Sequence, residues 1–417
     1  MTRALVARVT GLASHPFLAL VGANVFKILA VLIVTKVAAV LLSAHEFGLF
    51  GQFLAVSAIV NMVSSAGLNN AAVRDISAVP EGPQREAVAL EYFWVTFIFS
   101  VLTALLLLAL YPLFGASVLG TSDLTLPISL LALSVPAFAF FNFALSYYSG
   151  AGQQRRSASL QATGALLGLL VFGAVALLGR DLVWLSAGYL LFLVTPGAVL
   201  FASRPLPLPP VELSWHTTRR KLGDSAAMFS AILLLPSVLV VARSSLAGVA
   251  GWDTVAMWQV LTRLSDAYMQ VFAIYFAHFF LQRVNAVGDE RPLLVRSALT
   301  NLAAMAGFGV LFYVFYDLAV RLLFTPDYLW GREFVPWQVG VDSLRVLTVV
   351  LMYYFIARRD FRAYISVEVA QAALLLLLVT QTPLGQSLTG VYGALLGSTG
   401  LGLLVALGWY LKKERKL

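Results

Sequence analysis

Cysteine is absent from this 417-residue chain, which excludes disulfides, thiolate metal sites and a cysteine nucleophile. There is no Gly-Lys pair, so no GxxxxGK loop exists to cradle ATP phosphates. Four scattered histidines form no ligand cluster, and His45-Glu46 does not continue into HExxH, so no metal site is expected. Charge is scarce too, with Asp, Glu, Lys and Arg at 12%. The external loops are short, leaving no room for a folded catalytic domain outside the membrane. No enzyme is expected from these absences, and neither a cofactor nor a set of catalytic residues.

What is abundant is apolar surface. At 60% hydrophobic residues and a mean hydropathy of +0.87, one globular core cannot hide these side chains, and the fold class is an all-α polytopic membrane protein. Twelve helical spans are expected, near residues 17–42, 48–72, 88–112, 125–149, 157–178, 182–202, 223–247, 254–282, 293–316, 333–357, 362–380 and 388–411. Each can cross a hydrocarbon layer of roughly 30 Å. The first run is too long for a signal-peptide core and is expected to remain as a span.

Orientation follows from the basic residues. Of 28 Lys and Arg, twenty fall in alternate loops and tails, among them Arg74, Arg155, Arg220, Arg296, Arg359 and Lys413. Only Arg180, Arg321 and Arg332 fall in the intervening loops. The positive-inside rule then puts both termini in the cytoplasm. The net charge of +8 needs no nucleic-acid partner, because orientation and contact with anionic membrane lipids account for it.

The longest cytoplasmic connection is rich in proline and divides the chain into an N-terminal six-helix lobe (1–205), a linker (206–221) and a C-terminal six-helix lobe (222–417). Two lobes of equal span number, packed around a central cavity, would be parallel repeats of the kind used in alternating access. Pro112, Pro136, Pro196, Pro236 and Pro336 fall in or at the ends of spans and can bend them, although proline is also simply tolerated in membrane helices.

Five cations lie inside apolar spans: Lys27, Lys36, Arg243, Arg263 and Arg345. An intramembrane cation costs several kcal/mol (~2.5–3.5 or more) and usually faces a protein cavity or ion path. Lys36 is near the end of its span and can snorkel to the interface. Lys27 has less chance of escape and shares a helix face with Asn24. The nine residues between the two lysines leave them half a turn out of phase, so one straight helix cannot aim both at one cavity.

Polar stripes recur at helical spacing. Gln259, Arg263, Asp266 and Gln270 share one face of the eighth span, and Gln338, Asp342 and Arg345 share one of the tenth. In each, an acid and a base stand three residues apart, close enough to pair. Glu368 and Gln371 add an acid to the eleventh span, with Tyr364 a turn earlier. Asp266, Asp342 and Glu368 are the candidate carriers of a coupling proton or sodium ion. Asn61 and Asn142, each flanked by serines, can bind sugar hydroxyls or hold helices together.

The run GWDTVAMWQVLTRLSDAYMQ (251–270) resembles the corresponding stretch of the Wzx-type flippases for undecaprenyl-diphosphate-linked oligosaccharides, particularly the lipid III flippases of enterobacterial common antigen synthesis. FVPWQVGVDSLRVL (334–347), FRAYISVEVAQ (361–371) and the Lys27/Lys36 spacing resemble the same family. The resemblance implies the fold of the multidrug, oligosaccharidyl-lipid and polysaccharide (MOP) exporter superfamily. It also implies a bacterial inner-membrane location and transfer of a lipid-linked oligosaccharide from the cytoplasmic to the periplasmic leaflet. Polysaccharide polymerase and chain-length regulator proteins are the partners such a pathway would supply.

By that resemblance the cations hold the diphosphate: Lys27 first, then Arg263 and Arg345, with Lys36 and Arg243 completing the set. Asn24, Asn61, Asn142, Gln259 and Gln338 would meet the glycan. Two other classes remain open. A small-molecule or drug antiporter of the same fold would carry acids in excess of bases, and a membrane-embedded glycan polymerase or glycosyltransferase would place its active residues on a substantial outer loop.

Overall fold

A computed structural model of the protein describes residues 16–65, 67–121, 124–203, 215–276, 280, 284 and 291–414. The described residues are almost wholly helical and contain no strand. Among the described residues thirteen α-helices follow in order: α1 (Pro16–Leu41), α2 (Ala44–Ser64), α3 (Leu68–Ser77), α4 (Pro83–Leu119), α5 (Thr125–Gly150), α6 (Gln154–Leu178), α7 (Leu182–Ser203), α8 (Trp215–Ala250), α9 (Trp252–Tyr275), α10 (Arg291–Leu323), α11 (Val335–Ala357), α12 (Phe361–Gln381) and α13 (Leu388–Glu414). Short 3-10 helices, Pro326–Phe334 and Pro383–Gln386, lead into α11 and α13.

Eleven of these stretches are long and apolar enough to span a membrane. The expected eighth span is the exception. It forms α9, which is helical and long enough, but Gln259, Arg263, Asp266 and Gln270 make it too polar to qualify by composition. Such a helix is stable in a bilayer only where protein covers its polar face. Large aliphatic side chains on the other helices are open to their surroundings, Leu177 being 80% exposed. A bilayer, unlike water, charges nothing for that exposure.

The expected 48–72 span is also two elements. α2 opens with a capping box, in which Ser43 Oγ accepts from the Glu46 amide at 3.3 Å while Glu46 Oε2 accepts from the Ser43 amide at 3.0 Å. It stops at Ser64, and Gly67, at a left-handed φ of 67°, starts α3 on a new course. α3 is amphipathic: Leu68, Ala72 and Ile76 recur at i, i+4 and i+8 and are buried against Tyr92, Phe93 and Phe143. Pro112, Pro136, Pro196 and Pro236 lie within helices, whereas Pro336 falls in the first turn of α11, where its missing N–H breaks no bond.

The chain divides into two compact units. Unit 1 comprises Met1–Leu41 and Val56–Ala226; unit 2 comprises Leu42–Ala55 and Ala227–Leu417. α2 therefore gives its first half to unit 2 and its second half to unit 1. The proline-rich connection read from sequence as 206–221 falls outside the described residues up to 214, and α8 begins at Trp215. Within unit 1, α6 packs on α1 and α7, and α5 on α4 and α7. Within unit 2, α11 packs on α9, α10 and α13, and α13 on α12.

Candidate functional site

In unit 1, α1, α2, α5, α6 and α7 enclose a chamber of about 60 Å³. One water needs roughly 10–15 Å³ in the same measure, so the chamber admits a small polar group, not several sugars. Lys27, Asn61, Asn142 and Gln161 supply its polar lining, and Phe138, Phe141, Phe192 and Pro196 much of the rest. The amides are cross-linked between helices. Asn142 Nδ2 donates to Asn61 Oδ1 at 2.9 Å, and Gln161 Nε2 to Asn24 Oδ1 at 3.0 Å. Lys27 makes no side-chain hydrogen bond or ion pair with any described residue. The chamber thus presents one ammonium group among amide donors and acceptors, a setting that favours an anion carrying hydrogen-bonding groups. Lys36, half a turn away on α1, does not line it.

In unit 2, the remaining cations fall into two places. Arg243 on α8 donates from Nη1 to the Gly51 carbonyl at 3.3 Å and lies with its guanidinium carbon 5.5 Å from the Trp258 ring centroid. The charges of Arg263 and Asp266 reach Arg243, so the eighth-span stripe and α8 form one polar cluster. Within it Arg263 Nη1 stands 3.6 Å from Asp266 Oδ2. Gln259 is 1% exposed, and neither of its amide atoms has a hydrogen-bond partner among the described residues. The same holds for Trp258 Nε1, Arg243 Nε and Arg263 Nε. Four N–H donors without a partner among the described residues, one amide, one indole and two guanidinium, give this cluster the chemistry of an acceptor-binding surface.

Arg345 is exposed on α11. Its charge reaches Glu368 on α12, to which Tyr364 also hydrogen-bonds. The spacing of α12 alone left Glu368 without a basic neighbour, and packing supplies one from the next helix. Asp342 is placed differently. It is 1% exposed, and its Oδ2 accepts from Ser265 Oγ at 2.6 Å, Tyr268 Oη at 2.5 Å and Gln338 Nε2 at 3.0 Å. Gln338, offered above as a glycan contact, is spent on this network: its Oε1 accepts from Tyr392 Oη at 3.0 Å.

The comparisons with known proteins agree with this architecture. Residues 16–204 match the family described as polysaccharide biosynthesis protein. Over 373 residues the chain is 26% identical to the lipid III flippase of Escherichia coli (strain K12), covering 85% of this chain and 88% of that one. An inward-facing multidrug resistance MATE family transporter of the MOP superfamily matches with a TM-score of 0.70 and 12% identity, over 94% of each chain. The lipid II flippase MurJ, in an inward closed conformation, matches with a TM-score of 0.69 and 12% identity, over 94% of this chain and 86% of that one. The fold is that of the MOP superfamily.

The likeness to flippases read from residues 251–270, 334–347 and 361–371 thus extends over most of the chain. On this MOP fold the structure gathers Lys27, Asn61, Asn142 and Gln161 around one chamber, with Asn24 bonded to Gln161 but not itself in the lining, and Arg243, Gln259, Arg263 and Asp266 around another locus. Sequence reasoning passed over Gln161, Ser265, Tyr268 and Tyr392. Gln161 follows Arg155 and Arg156 near the start of α6 and reads as part of a solvated helix end. Tyr392, fully buried on α13, sits in a run of small residues with no polar stripe to flag it.

Proposed function

We propose that this protein is a flippase that carries an undecaprenyl-diphosphate-linked oligosaccharide from the cytoplasmic to the periplasmic leaflet of a bacterial inner membrane by alternating access. The supporting observation is Lys27, an amine with no hydrogen-bond or ion-pair partner among the described residues, lining a chamber with three side-chain amides. A phosphoryl group of the carrier lipid meets Lys27, and the amides of Asn61, Asn142 and Gln161 meet the phosphate or the first sugar, with Asn24 holding Gln161 in place. The chamber is too small for the whole headgroup, so it acts as one subsite. Within unit 2, Arg243, Arg263 and Arg345 are further candidate cations for the diphosphate, while the polyprenyl tail stays in lipid.

The fold alone does not choose between a flippase and a drug antiporter, because members of both kinds match it equally well. Similarity to lipid III flippases over 85% of the chain and a cation, in place of an acid, that is unpaired among the described residues in the unit 1 chamber favour the flippase. Both termini lie in the cytoplasm on this reading, with the twelve-span arrangement, lobes 1–205 and 222–417 joined by 206–221, and α9 as the protein-covered eighth span. A proton or sodium gradient drives the cycle through one of the acids Glu368, Asp266 or Asp342. Polymerase and chain-length regulator proteins take the delivered substrate.

The test is transfer of a fluorescent lipid-diphosphate oligosaccharide across vesicles containing the purified chain. Lys27→Ala is expected to slow transfer about tenfold or more, since a charge-assisted contact is worth roughly 1.5–3 kcal/mol, and Lys27→Arg to retain most of it. A folded Lys27→Ala protein that transfers at the wild-type rate overturns the assignment.

A further inference from the structure

We infer that Asp342 is the proton-carrying group of unit 2 and that Tyr392, acting through Gln338, is its positioning residue. The inference rests on the transport reading above and selects among the three acids it leaves open.

Geometry separates those acids. Asp266 is half exposed, and Arg263 stands 3.6 Å away. Glu368 answers to the charge of Arg345 and a hydrogen bond from Tyr364. Asp342 alone is enclosed and held by neutral groups, with Ser265, Tyr268 and Gln338 converging on Oδ2 and none of these bonds reaching Oδ1. The Arg345 charge, one turn along α11, acts on it less than any of the three donors does. A proton added at Oδ1 would remove the buried charge without displacing a neighbour. A sodium ion would need several oxygen ligands, as hard cations do. Here the hydroxyls already point their hydrogens at the carboxylate, and Gln338 Oε1 is taken by Tyr392.

The remaining groups around the site come from every helix packed on α11. α9 brings Tyr268, with the Asp266 charge beyond it; α10 brings Tyr316 toward Tyr392; α12 brings Glu368 to Arg345; α13 brings Tyr392. Tyr392 is the unusual member. Its side chain is fully buried, and its hydroxyl donates to Gln338 Oε1 at 3.0 Å. An amide whose oxygen is claimed by a donor must turn its NH₂ the other way, toward Asp342. Without the Tyr392 hydroxyl, Gln338 can flip and present its oxygen to the carboxylate.

The test is pH-difference infrared spectroscopy on the reconstituted full-length chain, following the carbonyl stretch that a protonated carboxyl has and a carboxylate lacks. We expect a titrating band that is lost in Asp342→Asn and kept in Glu368→Gln and Asp266→Asn. In Tyr392→Phe, which removes one oxygen and little else, its midpoint should move by about half a pH unit or more. A band that survives Asp342→Asn, or wild-type protein with no such band, overturns the proton site. An unmoved midpoint in Tyr392→Phe overturns the positioning role. The measurement needs no transported lipid, so a protein that titrates at Asp342 yet moves no lipid-linked oligosaccharide defeats the transport reading alone.

Discussion

Gln161 Nε2 donates to Asn24 Oδ1 at 3.0 Å, tying α6 to the face of α1 that carries Lys27. Both Gln161 and Lys27 line the same chamber, so charge placed at one is felt at the other. Gln161→Glu should put a carboxylate beside the amine and occupy it with an internal ion pair. Transfer of a phosphorylated lipid is expected to fall about tenfold or more, while Gln161→Met, of similar size and uncharged, loses much less. Equal transfer by the two variants in the vesicle assay would mean that the amine does not meet the anion there.

Close packing in unit 2 makes a second prediction. A Cβ on Gly48 would lie 2.2 Å from the Trp252 carbonyl oxygen, a backbone atom that cannot swing aside. Gly48→Ala should cost roughly 1–3 kcal/mol through forced separation of α2 and α9. Gly173→Ala, where the added carbon meets nothing within 4 Å, should be neutral or stabilise by up to about 1 kcal/mol through helix propensity. Denaturant unfolding of the two purified variants checks the contrast, and similar midpoints would refute the packing account.

The helices and most of their ends were legible from the run of apolar residues, because a bilayer demands them of each span in isolation. So was the Arg263–Asp266 pair, since i and i+3 on one helix meet whatever the fold. What could not be read were partners on other helices. Asp342 at i−3 to Arg345 looks like half of an ion pair along α11, yet α9 offers Ser265 and Tyr268 to it, and Gln338 turns inward with it. Asn61 and Asn142 each looked like an isolated stripe, and only packing shows that they hold one another. α3 was hidden because its apolar face continues the hydropathy of α2; the break at Gly67 was its one local signal.

Arg332 illustrates an ion pair expected to matter little. Its Nη1 is 3.2 Å from Asp317 Oδ2, with both side chains more than 40% exposed, and its guanidinium carbon lies 4.8 Å from the Tyr313 ring centroid. Exposed pairs are worth about 0–1 kcal/mol, and an exposed cation–π contact adds a similar amount. Arg332→Ala is expected to lower stability by about 1–2 kcal/mol at most and to leave transfer unchanged. A large loss of transfer with intact folding would place Arg332 in the transport path.

Asn61 and Asn142 allow the glycan to be separated from the phosphate. If their amides hold sugar hydroxyls, Asn61→Leu with Asn142→Leu should slow a lipid-diphosphate oligosaccharide severalfold and spare a lipid diphosphate without sugars. Lys27→Ala should impair both. Replacing both partners together leaves no amide buried without its mate, so the fold loses little. The competing account is that the pair only fastens α2 to α5, as interhelical amides often do. In that case the double variant slows both lipids alike and lowers the unfolding midpoint. The ratio of the two transfer rates, measured in the same vesicles, is insensitive to the fraction of active protein and decides between the two accounts.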